Sequence, residues 1–149
     1  MDHSQPYTEA YLQGILNSVK SIAMVGASPD KTKFSYGVLR VLNETGYDMI
    51  PVNPSPGLKE IRGMKVYPSL ASINRPVDMV EVFRRSEDLM SITKEAIAIG
   101  AKVLWAQIGV VNHDAAALAE EAGLQVVMDR CPKIELFRPI WKPKLHLGI

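Results

Sequence analysis

Residues 21 to 29 read Ser-Ile-Ala-Met-Val-Gly-Ala-Ser-Pro, a short apolar run that stops at one glycine and two small residues. A helical pattern follows within about ten residues, and a strand, a tight loop and a helix N-terminus together make a site for phosphate or another anion. Gly26, Ala27 and Ser28 are therefore the first candidates for ligand contact. Val52-Asn53-Pro54 closes a second apolar run in the same way. In an open parallel sheet the ligand lies beyond the carboxyl ends of the strands, so the residues just past each run carry the chemistry. These are Gly26 to Lys33, then Asn53 and Pro54, then Arg84 and Arg85, then Gln107, Gly109 and Val110, then Asp129, Arg130 and Cys131. Polar and basic groups collect along that one edge, although for any single Lys or Arg a solvated surface charge is the plainer reading.

The fingerprints of two common nucleotide sites are absent. The nicotinamide pattern Gly-x-Gly-x-x-Gly falls here on Gly26, Ser28 and Lys31, so two of its three glycines are missing. It also asks for an acid after the second strand to hold a ribose hydroxyl, where this chain has Asn53 and Pro54. The phosphate loop Gly-x-x-x-x-Gly-Lys-Ser/Thr does not occur. Lys31, Lys33, Arg84 and Arg62 still suit a ligand carrying several phosphates.

The elements that must position these residues follow from periodicity. Tyr11, Leu12, Ile15, Leu16 and Val19 recur at helical spacing behind a Thr8 cap. A strand is predicted over 21–26, a helix over 35–45 stopped by Gly46, and a strand over 47–52. Three prolines and two glycines make 53–69 a loop, with a short strand around Lys65 to Tyr67. Further strands are predicted over 77–83, 102–108 and 124–128. Helices are predicted over 86–99, capped by Ser86, and over 113–122, capped by Asn112. The tail from Pro132 to Ile149 is expected to pack along the surface. Strands and helices alternate, and the strands are apolar throughout, as in a parallel sheet covered on both faces. The expected fold is α/β: a doubly wound Rossmann-like domain over 1–149, with a mostly parallel five-stranded sheet.

Composition narrows the function. The chain has 149 residues, 47% hydrophobic and 22% charged, with a net charge of +1. That balance gives no support for a nucleic-acid footprint. One cysteine, Cys131, excludes an intrachain disulfide and a cysteine-based metal cluster. No leader pattern opens the chain and no apolar run approaches the ~20 residues that span a bilayer; a cytoplasmic protein without membrane contact is expected. Asp78 and Glu81, three residues apart on a strand, point to opposite faces and do not form an acid–base pair. Cys131 next to Arg130 at a helix start suits thiol exchange, but a small buried residue is the favoured reading. The methionines, Trp105 and Trp141 read as packing.

Taken together, Val25-Gly26-Ala27-Ser28-Pro29, Gly46-Tyr47, Pro51-Val52-Asn53-Pro54, Ile61-x-Gly63, Tyr67-x-Ser69-Leu70, Val77-Asp78, Val82-Phe83-Arg84, Gly100-Ala101-Lys102, Trp105-x-Gln107-x-Gly109 and Asp129-Arg130-Cys131 carry a resemblance. Over roughly residues 8 to 138 the chain resembles the stand-alone CoA-binding domain proteins, which are similar to the CoA-binding domain of the succinyl-CoA synthetase alpha subunit. The resemblance implies coenzyme A, free or acylated, lying across the strand ends. Gly26, Ala27 and Ser28 would hold phosphate with help from Lys33 and Ser35. Val52, Asn53 and Pro54 would line the adenosine side, with no carboxylate to repel a phosphorylated ribose. Phe83 and Arg84 would meet adenine or phosphate, and Gln107 and Gly109 would lie along the pantetheine arm. The synthetase also needs a phosphorylatable histidine on a second domain. His3, His113 and His146 do not sit at strand ends, so its ligase activity is not expected here. A CoA carrier, sensor or regulatory module is the expected function, with a homodimer as the expected assembly. An NAD(P)- or acyl-CoA-dependent enzyme and a ligand-free interaction module are the alternatives.

Overall fold

The computed structural model describes residues 1–138. Helix α1 (Glu9–Ser18) is capped by Thr8, whose hydroxyl accepts from the Tyr11 N–H. Strand β1 (Ser21–Val25) leads through residues 26–33 into α2 (Phe34–Thr45), which Gly46 ends in a left-handed conformation at φ 117°. Strand β2 (Asp48–Val52) follows, then a two-stranded hairpin of β3 (Glu60–Ile61) and β4 (Met64–Lys65). The remaining elements are β5 (Met79–Val82), α3 (Leu89–Ala98), β6 (Val103–Ala106), α4 (His113–Glu121), β7 (Gln125–Val127) and α5 (Pro132–Leu136).

Among the described residues, five strands form a parallel sheet in the order β2-β1-β5-β6-β7. The order reverses between β1 and β5, so their carboxyl ends flank the switch point where such sheets bind ligands. Alternation along each strand feeds two cores. Ala23, Val80, Leu104 and Val126 pack under α3 and α4. Ile22, Met24, Met79, Trp105 and Val127 pack under α1, α2 and α5.

Both sheet edges are covered. Pro51 sits on edge strand β2, where its missing N–H breaks no ladder, and its carbonyl accepts from the Tyr67 N–H at 3.0 Å. The expected short strand near Lys65 to Tyr67 is thus divided: Met64–Lys65 pairs with β3, while Tyr67 makes a single bridge to Val52. At the opposite edge, side chains replace a neighbouring strand. The Tyr11 hydroxyl donates to the Val126 carbonyl at 2.8 Å and accepts from its N–H at 3.0 Å. The Tyr7 hydroxyl accepts from the Met128 N–H at 2.9 Å and also meets His3 Nδ1 at 2.7 Å.

Two further expectations change. Ser86 does not cap the long helix. A 3₁₀ turn (Ser86–Asp88) precedes α3, and the Ser86 hydroxyl instead bridges to the loop after β6, donating to the Gly109 carbonyl and accepting from the Val111 N–H. Of the tail, Pro132–Leu136 forms a helix with Leu136 in the core; Trp141 lies outside the described residues. Asn112 caps α4 as its position predicts, accepting from the Ala115 N–H at 3.0 Å.

Candidate functional site

Gly26 ends β1 at φ 93°, a conformation that favours glycine. A methyl group there would stand 2.2 Å from the Phe83 carbonyl oxygen. The glycine is therefore needed for close approach of the chain just past β5, in addition to any approach of a ligand. Its N–H is already used, donating to the Val52 carbonyl at 3.2 Å. Loop donors toward a ligand must come from the residues that follow it and from α2.

Helix α2 supplies them. No side chain caps its N-terminus, where Lys33 holds the cap position in extended backbone, and its first turn carries no acid. Its first amides and the positive end of its dipole are thus free of side-chain competition. The Ser28 hydroxyl accepts from the Asp30 N–H at 3.1 Å, which folds the loop toward α2. Asp30, the acid nearest this site in sequence, is turned back on Thr32, accepting from its hydroxyl at 2.7 Å and its N–H at 2.9 Å. Those hydrogen bonds, with Lys33 adding a smaller effect, hold the Asp30 carboxyl below its ordinary range.

Asn53 fixes the loop from the neighbouring strand. Its Nδ2 donates to the Ala27 carbonyl at 2.7 Å and its Oδ1 accepts from the Ser55 N–H at 2.8 Å. Both ends of the amide are committed, so Asn53 braces the loop while leaving the position uncharged. Ala27 itself is buried.

Two recesses open at the end of β1 and share Gly26. One, of about 350 Å³, is lined by Gly26, Ser28, Lys33, Phe34, Ser35 and Phe83. The other, of about 220 Å³, includes Val52, Pro54, Leu70 and Arg84. Most of the residues expected at the site from sequence thus line a recess at the switch point. Ala27, Asn53, Gln107 and Gly109 line neither one. Ala27 and Asn53 lie behind the loop as its brace. Gln107 is buried at the end of β6, and Gly109 is tied into its loop, its N–H donating to Asp129 Oδ1 at 2.7 Å.

Sequence reasoning missed Phe34. Its side chain is 56% exposed at the head of α2, and its ring lies 6.4 Å from the Phe83 ring. An exposed aromatic at a helix N-terminus beside a glycine loop was the available signal. Arg62 lies over the ring of Tyr36, in the first turn of α2, and beside Glu44 at 3.8 Å. Arg84 pairs with Asp88 at 3.4 Å. The Cys131 thiol is buried, which agrees with packing rather than exchange. Asp78 and Glu81 are not a pair. Asp78 accepts from the Lys20 N–H at 2.8 Å near the start of β5, and this bond is the chief reason its carboxyl stays below its ordinary range.

A larger recess, of about 810 Å³, lies at the opposite edge of the sheet, lined by Leu16, Lys20, Glu44, Thr45, Tyr47 and Asp48 among others. The carbonyl ends of α1 and α2 meet there, which disfavours a polyanion; acids do not separate the sites, since Asp88 and Glu95 line the Arg84 recess as Glu44 and Asp48 line this one. The strand-end recesses are the better candidate despite their smaller volume. No helix among the described residues is long and apolar enough to cross a membrane.

Known proteins share this architecture. Residues 20–136 match the model of a family described as "CoA binding domain". The chain is 40% identical over 127 residues to the uncharacterised protein YneT of Bacillus subtilis, covering 85% of this chain and 93% of that one. It is 34% identical over 97 residues to the alpha subunit of an ADP-forming acetate–CoA ligase from Pyrococcus furiosus. That match covers 62% of this chain and only 21% of the ligase subunit. A hypothetical protein from Pyrococcus horikoshii superimposes with a TM-score of 0.85 at 37% identity, over 94% of this chain and 99% of that one.

Proposed function

The chain belongs to the CoA-binding domain family, and on that premise we propose that it holds coenzyme A or an acyl-CoA across the β1–β5 switch point, as a carrier, sensor or regulatory module without catalysis of its own. The observation that carries this reading is the uncapped, acid-free first turn of α2 facing the Gly26–Ser28 loop across a recess. Helix amides and Lys33 suit phosphate. Ser28 and Ser35 add hydroxyl donors. Phe34 and Phe83 offer faces on which adenine can lie, and Arg84 sits where a phosphate or the adenine edge would pass.

Asn53 favours CoA over NAD. A dinucleotide site of the common kind uses an acid here to bind ribose hydroxyls. The ribose of CoA bears a phosphate, which an acid would repel and a neutral amide, already engaged with Ala27 and Ser55, does not. Val52 and Pro54 then border the adenosine side. Gln107 and Gly109, both just past β6 on the same edge, are left to the pantetheine arm.

The Ser28→Glu variant tests the placement of phosphate. A carboxylate about 4 Å from a phosphate charge costs about 4 kcal/mol at an effective dielectric near 20. Affinity for CoA, measured by calorimetric titration, is expected to fall by roughly a thousandfold. Unchanged affinity would put the phosphates elsewhere.

A further inference from the structure

Among the described residues, three buried side-chain atoms have no hydrogen-bond partner: Oε1 and Oε2 of Glu81 and Oε1 of Gln107. Such groups are rare enough that each asks for an explanation. Strand register brings them together. Glu81 on β5 lies opposite Trp105 on β6, and the ladder continues to Gln107, whose N–H donates to the Val82 carbonyl at 3.1 Å. Side chains two residues apart share a face. Glu81, Trp105 and Gln107 therefore lie on the face covered by α1, α2 and α5. With strands about 4.8 Å apart and a rise of about 3.3 Å per residue, a neighbour two residues along the adjacent strand stands about 8 Å away, within reach of two long side chains. By the same register Gln107 is the neighbour of Phe83, which borders the recess at α2.

Glu81 is fully buried, and burial alone pushes its carboxyl up to about 8. Met24 and Trp105 flank it in the sheet. The titratable groups associated with this side are few. Tyr11 and Tyr47 bond to the carbonyls of Val126 and Leu16 and are both pushed up to about 12 by burial. Glu135 on α5 is paired with Arg138 at 2.9 Å. The buried Cys131 thiol lies at the start of α5, and Lys33 stands at the mouth of the recess. Tyr7 and, on α2, Tyr36 are partly buried against the same core.

We propose that Glu81 is a positioning residue for the ligand site: as a neutral acid it donates its O–H to Gln107 Oε1 and so turns Gln107 Nε2 outward, as a donor to a carbonyl of the pantetheine arm. This rests on the reading that Gln107 lies along that arm. A primary amide has one acceptor end and one donor end, so fixing the inner end fixes the outer one. Ionised Glu81 demands a donor instead. It draws Nε2 inward and presents Oε1 to the ligand carbonyl, oxygen facing oxygen. The proton on Glu81 thereby sets the hydrogen-bonding polarity of the pantetheine channel.

Two measurements test this. In the first, CoA and acetyl-CoA are titrated into wild type, Glu81→Gln and Glu81→Met near pH 6.5 and near pH 9. Wild type is expected to lose about tenfold in affinity at the higher pH, the value of one good hydrogen bond. Glu81→Gln keeps a donor for Gln107, so it should match wild type at the lower pH and retain that affinity at the higher. Glu81→Met should bind about tenfold more weakly at both. Equal pH profiles in wild type and Glu81→Gln, or a Met variant as tight as the Gln variant, would overturn the proposal. In the second, the Gln107 side-chain amide resonance is followed by NMR in the ligand-free protein over the same range. It should move with pH in wild type and stay still in Glu81→Gln; a resonance that behaves alike in both overturns the link between the two residues. Failure of CoA to bind wild type would remove the ligand reading, and the NMR titration would still decide the Glu81–Gln107 contact.

Discussion

Gly26 shows how a glycine at a strand end can be required by backbone packing alone, whatever the loop binds. Its φ is positive, and the Phe83 carbonyl oxygen would lie 2.2 Å from any Cβ at this position, which leaves no room for a side chain. Gly26→Ala is expected to destabilise the protein by roughly 2–5 kcal/mol, from unfavourable φ and forced displacement of the β5 end. Urea denaturation measures this, and a loss below about 1 kcal/mol would mean that the strand ends move apart freely. Phe34 is the opposite case, exposed and outside the core. Phe34→Ala should leave stability within about 0.5 kcal/mol while weakening CoA binding by roughly tenfold through lost stacking on adenine. Equal affinity in the variant would remove Phe34 from the site. Residues such as Thr8, Gly46 and Asn112 were legible in sequence because a cap is decided within four positions. The packing reason for Gly26 was not, because Phe83 lies far along the chain and only strand register brings its carbonyl near.

At the scale of elements, the proposed site depends on α2 being held against β1 with its first turn open. Apolar spacing at Val38, Leu39, Val41 and Leu42 predicted the helix; Val38, Leu39 and Leu42 are fully buried, while Val41 is only partly so. Short apolar strands likewise announced the parallel sheet. The edges were less legible. Nothing local in Tyr7 or Tyr11 says that their hydroxyls complete the β7 edge more than a hundred residues later. Tyr11→Phe removes the partner of both the N–H and the carbonyl of Val126, and is expected to cost about 1–3 kcal/mol. Hydrogen exchange at the Val126 amide should accelerate in that variant. Unchanged exchange would mean that the edge is satisfied without the hydroxyl. Ser86 departs from its sequence pattern for a related reason: a serine before a helical pattern suits a cap, but here a 3₁₀ turn intervenes and its hydroxyl joins the loops after β5 and β6. Two strand-end loops of the candidate site are thereby tied to each other.

Across the whole molecule, buried ionisable groups make stability depend on pH in a predictable direction. Glu81 rises from 4.5 to about 8 on folding, because burial penalises its charged form. The native state then holds a proton that the unfolded chain releases, so this contribution is complete below the unfolded value and is lost as pH rises through the folded one. Between those limits wild type should lose stability relative to Glu81→Gln by up to about 1.4 kcal/mol per pH unit. Denaturation of both proteins at several pH values checks this; parallel curves would contradict it. Family membership points to a CoA-type ligand, and on the proposed reading the neutral Asn53 suits that ligand better than NAD. The most direct measurement is a calorimetric titration of the wild-type protein with CoA, NAD and NADP in parallel. Saturable binding of CoA, with NAD and NADP much weaker or silent, is the expected result; preferential binding of either dinucleotide, or no binding of CoA, would contradict it.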